Sequence, residues 1–388
     1  MLCADNGAFT LRIGRSDAAA PAVCVPNQLA RVRGDLKELV AHETEAADLA
    51  HHSQLEYKRA HVRGLLVDCA VEEKVWERAL SLLGAPMRAS LVVSESPLTP
   101  HSLSRNADEL YFERLGFGSV ARVAAPALAA LAVDTHGGAN EPSSPVRVVV
   151  DVGYSATWVV PLLGTTIVPE SCRRLDIGGK LLTNLLKEEL TWRHFNLMDE
   201  THLVEHIKTQ TCYVAQAAKN ETAQVLEYLL PDYTTDFNGR VLLAGEEIAP
   251  KRQKLRMGLE RFLVPECLFD PNRVFLNQAG LPEVIAQSIA TLPDEFQGVA
   301  FENILITGGT ARLPGLVSRL RREIQPWAPQ GHVAGVVDCS GDGALVWSGA
   351  RAMANNPQQW HALAVSRREF QEVGSSADVL ARRRGAGR

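Results

Sequence analysis

Twice along the chain a short apolar run gives way to an Asp-x-Gly turn and then to a second apolar run. The first instance is Leu2-Cys3-Ala4, Asp5-Asn6-Gly7 and Phe9 to Ile13. The second is Val146 to Val150, Asp151-Val152-Gly153 and Thr157 to Leu163. Each predicts strand, tight turn, strand. Leu91-Val92-Val93 and Ile304-Leu305-Ile306 are unbroken apolar runs, which predict buried strands, the latter ending in Gly308-Gly309. Helical spacing recurs at Val75, Ala79, Leu82 and Leu83, and at Leu181, Leu182, Leu185 and Leu186. It recurs again at Leu313, Leu316, Val317, Leu320 and Ile324, with arginines on the opposite face. Leu110, Phe112, Leu115 and Phe117 extend the candidate core. Residues 17–34, with Pro21, Pro26 and Gly34, predict an irregular connection. Residues 35–60 are charged and helix-permissive, and the Gly/Pro/Ser-rich 136–145 predict a surface loop or lobe boundary.

The repeat has an architectural meaning: two halves that each open with the same turn predict two similar α/β lobes facing a cleft. A chain of 388 residues has room for roughly two to three domain-sized units. It can bury a large core without staples. At 46% hydrophobic and 22% charged it is ordinary for a globular protein. No apolar run approaches the ~18 residues of a membrane span, and the stretch from Met1 to Asp5 does not resemble a signal peptide. The seven cysteines are scattered and form no C-x-x-C pair, which predicts neither a disulfide framework nor a zinc knuckle and fits a reducing compartment. A net charge of −5 argues against a globally basic nucleic-acid binder. Two local clusters, Arg319, Arg321 and Arg322 and then Arg382, Arg383 and Arg384, read as solvated surface. The second lies in a Gly/Ser/Ala/Arg tail expected to be disordered.

Two Asp-x-Gly turns and a strand ending in Gly308-Gly309-Thr310 are together a candidate for binding chemistry. Glycine lets backbone N–H groups come close to phosphate oxygens, and successive amides make an anion-binding concavity. A carboxylate at each turn, Asp5 and Asp151, can hold Mg²⁺ through its water shell. The pattern predicts an Mg-nucleotide cleft between the lobes. A competing motif, His202-Leu203-Val204-Glu205-His206, matches H-x-x-E-H with both histidines on one helical face. Two of its five positions are free and no third ligand accompanies it, so charged surface residues on a peripheral helix are the reading adopted. His51-His52 is read as polar surface.

These three segments resemble the two phosphate loops and the Gly-Gly loop of the actin, sugar-kinase and Hsp70 superfamily. Further stretches resemble the actin family in particular: Ser94-Glu95-Ser96-Pro97-Leu98-Thr99-Pro100, Cys212-Tyr213-Val214-Ala215, Glu260-Arg261-Phe262 with Pro265-Glu266, Thr307 to Thr310 followed by Pro314-Gly315, and Trp347. Residues 5–14 (DNGAFTLRIG), Gly153-Tyr154-Ser155, Gly178 to Asn184, Met198 to His202 and Leu230 to Tyr233 are similar to its class-six, nuclear branch. The resemblance implies a two-lobed actin-like fold with an ATP cleft between duplicated lobes. The first lobe would be 1–140 and 343–388, with 35–64 a reduced small subdomain. The second would be 141–342, with about 178–258 its small subdomain. Asp5, Gly7, Arg12, Asp151, Gly153, Gly179, Lys208, Gly308, Gly309 and Thr310 would contact ATP, and Asp5 and Asp151 would hold Mg.

The departures from actin bear on mechanism. Ala8 stands where actins have a phosphate-contacting serine, Tyr154 where they have an aspartate, and Arg12 where they have a lysine. The water-positioning glutamine falls at Pro126 and its helper histidine at Trp158. Thr209 replaces an adenosine-contacting glutamate beside Lys208, and Gly343 replaces the lysine flanking the base. The resemblance therefore implies a non-enzymatic subunit of a nuclear Swr-type chromatin-remodelling complex that exchanges a variant histone into nucleosomes. It would dock accessory subunits, among them a zinc-finger HIT protein, onto the remodelling ATPase, near histones, off membranes and outside filaments. The alternatives are an active ATP hydrolase or sugar-kinase-like phosphotransferase on the same fold, and, third, a filament subunit.

Overall fold

The computed structural model describes residues 1–386 apart from 33, 35–36, 46–54, 86–87, 137–144, 218–223, 233–235, 237–238, 244, 247–251 and 342. Two mixed sheets form its frame. In the first, the order is Val365–Ser366, Ser119–Ala124, Ser90–Glu95, Leu2–Asn6, Thr10–Arg15, Val23–Pro26. The main path of the second is Thr166–Ile167, Thr157–Leu163, Val146–Val152, Ile304–Thr307, Val336–Asp338. Each sheet contains the same unit. An antiparallel hairpin, Leu2–Asn6 with Thr10–Arg15 or Val146–Val152 with Thr157–Leu163, pairs through its first strand with a parallel strand. The internal repeat in the sequence is thus a repeat of sheet topology.

Ladder pairing carries both hairpin strands further than the sequence pattern indicates. Asp5 pairs with Arg12 and Asp151 with Trp158, so each carboxylate stands on a strand and the turn lies just beyond it. Residues 17–34, expected to be irregular, contain the strands Val23–Pro26 and Leu29–Val32. Residues 35–60, expected to be helix-permissive, contribute Glu38–Val40 and Leu55–Lys58 to a three-stranded sheet with Leu29–Val32. His51-His52 and most of the predicted loop 136–145 fall outside the described residues.

The helix Cys69–Leu83 buries Val71, Val75, Trp76 and Ala79 and packs Leu83 against the same core, while Leu82 of the predicted stripe is 48% exposed. Asp68 caps this helix through the amides of Ala70 and Val71, and Gly84 closes it at φ +62°. In the second lobe, Gly179–Arg193 buries Leu182, Leu186 and Leu190. Ala125–His136 and Leu345–Ala354 cross closely between the sheets: a Cβ on Gly349 would stand 1.8 Å from the carbonyl oxygen of Leu128. Trp347, fully buried, donates its indole N–H to the carbonyl of Cys3 at 2.9 Å.

Arg321, Arg322, Arg382 and Arg383 are exposed as expected, whereas Arg319 and the order of the tail depart from expectation for tertiary reasons. Arg319 is not solvated; it is 7% exposed, with both terminal nitrogens on Glu266 and its Nε on Glu323. The tail expected to be disordered forms the helix Ser376–Ala386, whose first residue is fixed by hydrogen bonds to buried Asp108. Arg383 in that helix pairs with Glu369 at 2.6 Å. Among the described residues, no helix is long and apolar enough to cross a membrane.

Candidate functional site

The turns of the two hairpins open onto one cavity of about 530 Å³ between the sheets, and all ten predicted contact residues line it. The turns are built alike. The Gly7 amide donates to the carbonyl of Thr10 at 3.2 Å, and the Gly153 amide to that of Ala156 at 3.1 Å. The carbonyl of Gly153 also accepts from the Gly179 amide and from the Thr310 hydroxyl, at 3.0 and 2.8 Å. Helix start, second turn and Gly-Gly loop are thereby locked together. Gly308 sits at φ +100°, and a Cβ there would lie 2.4 Å from the carbonyl oxygen of Val152 and 2.6 Å from Oδ1 of Asp151. Gly309 has φ −64° and open space around it, so it offers bare backbone to the cavity without strain.

The carboxylates differ in their support. Asp5 accepts from Arg12 and from the Ser94 hydroxyl, both at 3.1 Å, yet burial still raises its pKa. Asp151 has its pKa raised to about 6 by burial first and by the charge of Asp5 second. Two buried carboxylates, each with its proton affinity raised by burial and that of Asp151 also by the charge of Asp5, are a donor set a hard cation would satisfy. The glycine cradle beside them suits phosphate oxygens. These residues fit an Mg-nucleotide: Asp5 and Asp151 would hold the ion through water, and the ion would neutralise phosphate charge.

Lys208 lines the cavity but is already engaged. It is 4% exposed and donates to the carbonyl of Gly179 at 3.0 Å, to Thr183 at 2.9 Å and to both oxygens of Glu205 at 2.8 and 2.7 Å. Its role here is to set the cavity wall and orient Glu205. The helix Thr201–Thr211 is accordingly not peripheral: Glu205 and Thr209 face the cavity, while His206 shares a 2.7 Å hydrogen bond with Tyr228. No cluster of metal-ligating side chains occurs among the described residues, the H-x-x-E-H segment included. At the start of Ala125–His136 the cavity-lining residue is Ala125, and Pro126 does not line it. Neither Ala125 nor Pro126 carries a polar side chain that could hold a water there.

Sequence reasoning missed Ser94, Glu205 and Arg312. Ser94 had a usable signal, lying at the carboxyl end of a parallel strand next to Asp5. Glu205 had one in its i,i+3 spacing to Lys208. Arg312 had none; its Nε donates to the carbonyl of Ser340 at 2.9 Å and its guanidinium lies over Gly343.

Comparison with known proteins agrees with this geometry. The sequence profile of the actin family matches residues 1–384. Actin-like protein ARP6 of Yarrowia lipolytica is 34% identical over 95% of this chain and 94% of its own length. Actin-related protein 6 of Oryza sativa subsp. japonica is 32% identical over 96% of each. Actin-related protein 6 of Drosophila melanogaster is 30% identical over 95% of this chain and 96% of its own. With a duplicated hairpin frame, a cleft between its sheets and relatives of this kind along almost its whole length, the chain belongs to the actin family, in its actin-related protein 6 branch.

Proposed function

We propose that the chain is a non-motor subunit of a nuclear Swr-type chromatin-remodelling complex, which exchanges a variant histone into nucleosomes. In this reading it is a docking scaffold that joins accessory subunits, including a zinc-finger HIT protein, to the remodelling ATPase. The observation that carries it is the composition of the cleft. The buried carboxylates and glycine turns of a nucleotide site are present, but Ala8, Ala125, Tyr154 and Trp158 line it where hydrolysis needs groups that position water or stabilise charge. A nucleotide held there with Mg stabilises the closed form by mass action and acts as a latch. Apolar surface suited to partners is at hand: Trp192 is 89% exposed, with Phe195 and Met198 exposed nearby in sequence. The test is purification from nuclear extract, with identification of co-eluting proteins and of any extracted nucleotide. Co-elution with a remodelling ATPase is expected, and a single species of about 42 kDa without partners overturns the reading.

One observation favours a second reading, an ATP hydrolase or phosphotransferase. Asp151, with a pKa of about 6, is a carboxylate poised near neutrality inside the cleft, as a general base would be.

A further inference from the structure

A second cavity, of about 40 Å³, adjoins the cleft, and Asn6, Gly64, Ser94, Glu95 and Ser96 line both. Its other wall brings His61, Tyr111 and Arg122 together. His61 stands on a small hairpin, His61–Val62 paired with Leu65–Leu66. The tip of that hairpin borders the cleft. There the carbonyl of Gly64 accepts from the Ser96 hydroxyl at 2.6 Å, and a Cβ on Gly64 would lie 3.5 Å from that of Ser155 in the second lobe.

The side chains of His61 and Arg122 are 5% and 7% exposed, and Tyr111 is 2% exposed. Each has a polar atom or proton without a hydrogen-bond partner among the described residues. Nδ1 of His61 has none. The Tyr111 hydroxyl accepts from Asn6 at 3.3 Å, but its own proton goes to no acceptor. Nη1 and Nη2 of Arg122 reach Glu95, Ser104 and Asp108. Its Nε lies 2.9 Å from Oδ1 of Asp108 without the alignment of a hydrogen bond. Burial lowers the pKa of His61 despite the nearby carboxylate of Glu72, so the ring is uncharged near neutral pH. In either neutral tautomer Nδ1 then needs a partner.

Three buried polar groups facing one small cavity call for a common partner. It must both donate and accept, and it must be uncharged, because Arg122 is already matched by Glu95 and Asp108. The cavity has room for about two or three water molecules. We propose that it binds ordered water, held by His61 Nδ1, the Tyr111 hydroxyl and Arg122 Nε, and that this water seats the hairpin bordering the cleft. Arg122 also grips Asp108, which anchors Ser376, so the water joins the hairpin to the base of the C-terminal helix. The site does not depend on nucleotide being bound.

A crystal structure of the full chain, at a resolution that shows ordered solvent, tests the site directly. A water oxygen is expected within about 3.2 Å of both His61 Nδ1 and Tyr111 Oη. Oxygen-17 magnetic relaxation dispersion then counts long-lived internal waters in solution. His61→Phe keeps a ring but offers no polar atom, and should lose about one such water per chain. A merely space-filling imidazole would leave that count unchanged, which overturns the inference. So does a parent crystal with no water at this place, or one in which Nδ1, here 3.8 Å from Oε2 of Glu72, bonds to that carboxylate instead. Where His61→Phe fails to fold, the parent crystal decides.

Discussion

Gly308 and Gly309 are neighbours with opposite demands on the backbone. The left-handed φ of Gly308 and the close carbonyl of Val152 leave no place for a side chain, whereas Gly309 has an ordinary φ and free space. Gly308→Ala is expected to cost about 2 kcal/mol or more, from backbone strain and overlap together. Gly309→Ala should cost under about 1 kcal/mol. Urea unfolding of both variants checks this, and equal losses would contradict the assigned loop geometry. Asp151 gives a pH-dependent counterpart. Its pKa of about 6 when folded exceeds the ordinary aspartate value of 3.8. The folded state therefore holds the proton more tightly, and the carboxyl contributes most to stability below both values. That contribution is lost as pH rises from about 4 to about 6. Asp151→Asn removes the buried charge, so it should stabilise the protein near neutral pH by about 1–3 kcal/mol and give almost nothing near pH 4. A stabilisation independent of pH would contradict the burial argument.

At the scale of elements, local chemistry was legible and distant pairing was not. The Asp-x-Gly hairpins could be read because turn residues, strand alternation and glycine all act within a few positions. The strands in 29–58 run only three or four residues each and show too little alternation to separate them from helix. The C-terminal helix depends on Asp108, a partner 268 residues from Ser376. An amphipathic stripe cannot reveal that Glu266 waits opposite Arg319, or that the Arg319 guanidinium carbon lies 4.1 Å from the centre of the Phe269 ring. That pair makes a prediction for its helix, Leu316–Ile324. Arg319→Met leaves Glu266 buried and unpaired and should cost about 3–5 kcal/mol. Adding Glu266→Leu should recover much of that loss, giving a large coupling energy in a double-mutant cycle. An additive cycle would mean that the two side chains do not depend on each other.

For the whole molecule, the question is whether two lobes closing on a nucleotide make an enzyme or a latch. Transfer of a phosphoryl group to water needs a water held in line and groups that take up developing charge. Ala8, Ala125 and Trp158 line this cleft with Pro126 next in the chain; none of them can accept a proton, since an indole N–H can only donate. Each such missing contact commonly costs ~10²–10³-fold in rate, and losses within one unit do not simply add. ATP turnover is therefore expected to be absent or very slow. Asp151 makes the alternative testable on the same protein. If it serves as a base, single-turnover hydrolysis of radiolabelled ATP should rise as pH passes through about 6 and vanish in Asp151→Asn. The latch reading expects a rate near that of uncatalysed hydrolysis at every pH, insensitive to Asp151→Asn once nucleotide occupancy is matched. Turnover equal to that of actin filaments, with the pH rise and loss in the variant, would replace the scaffold reading with the enzyme.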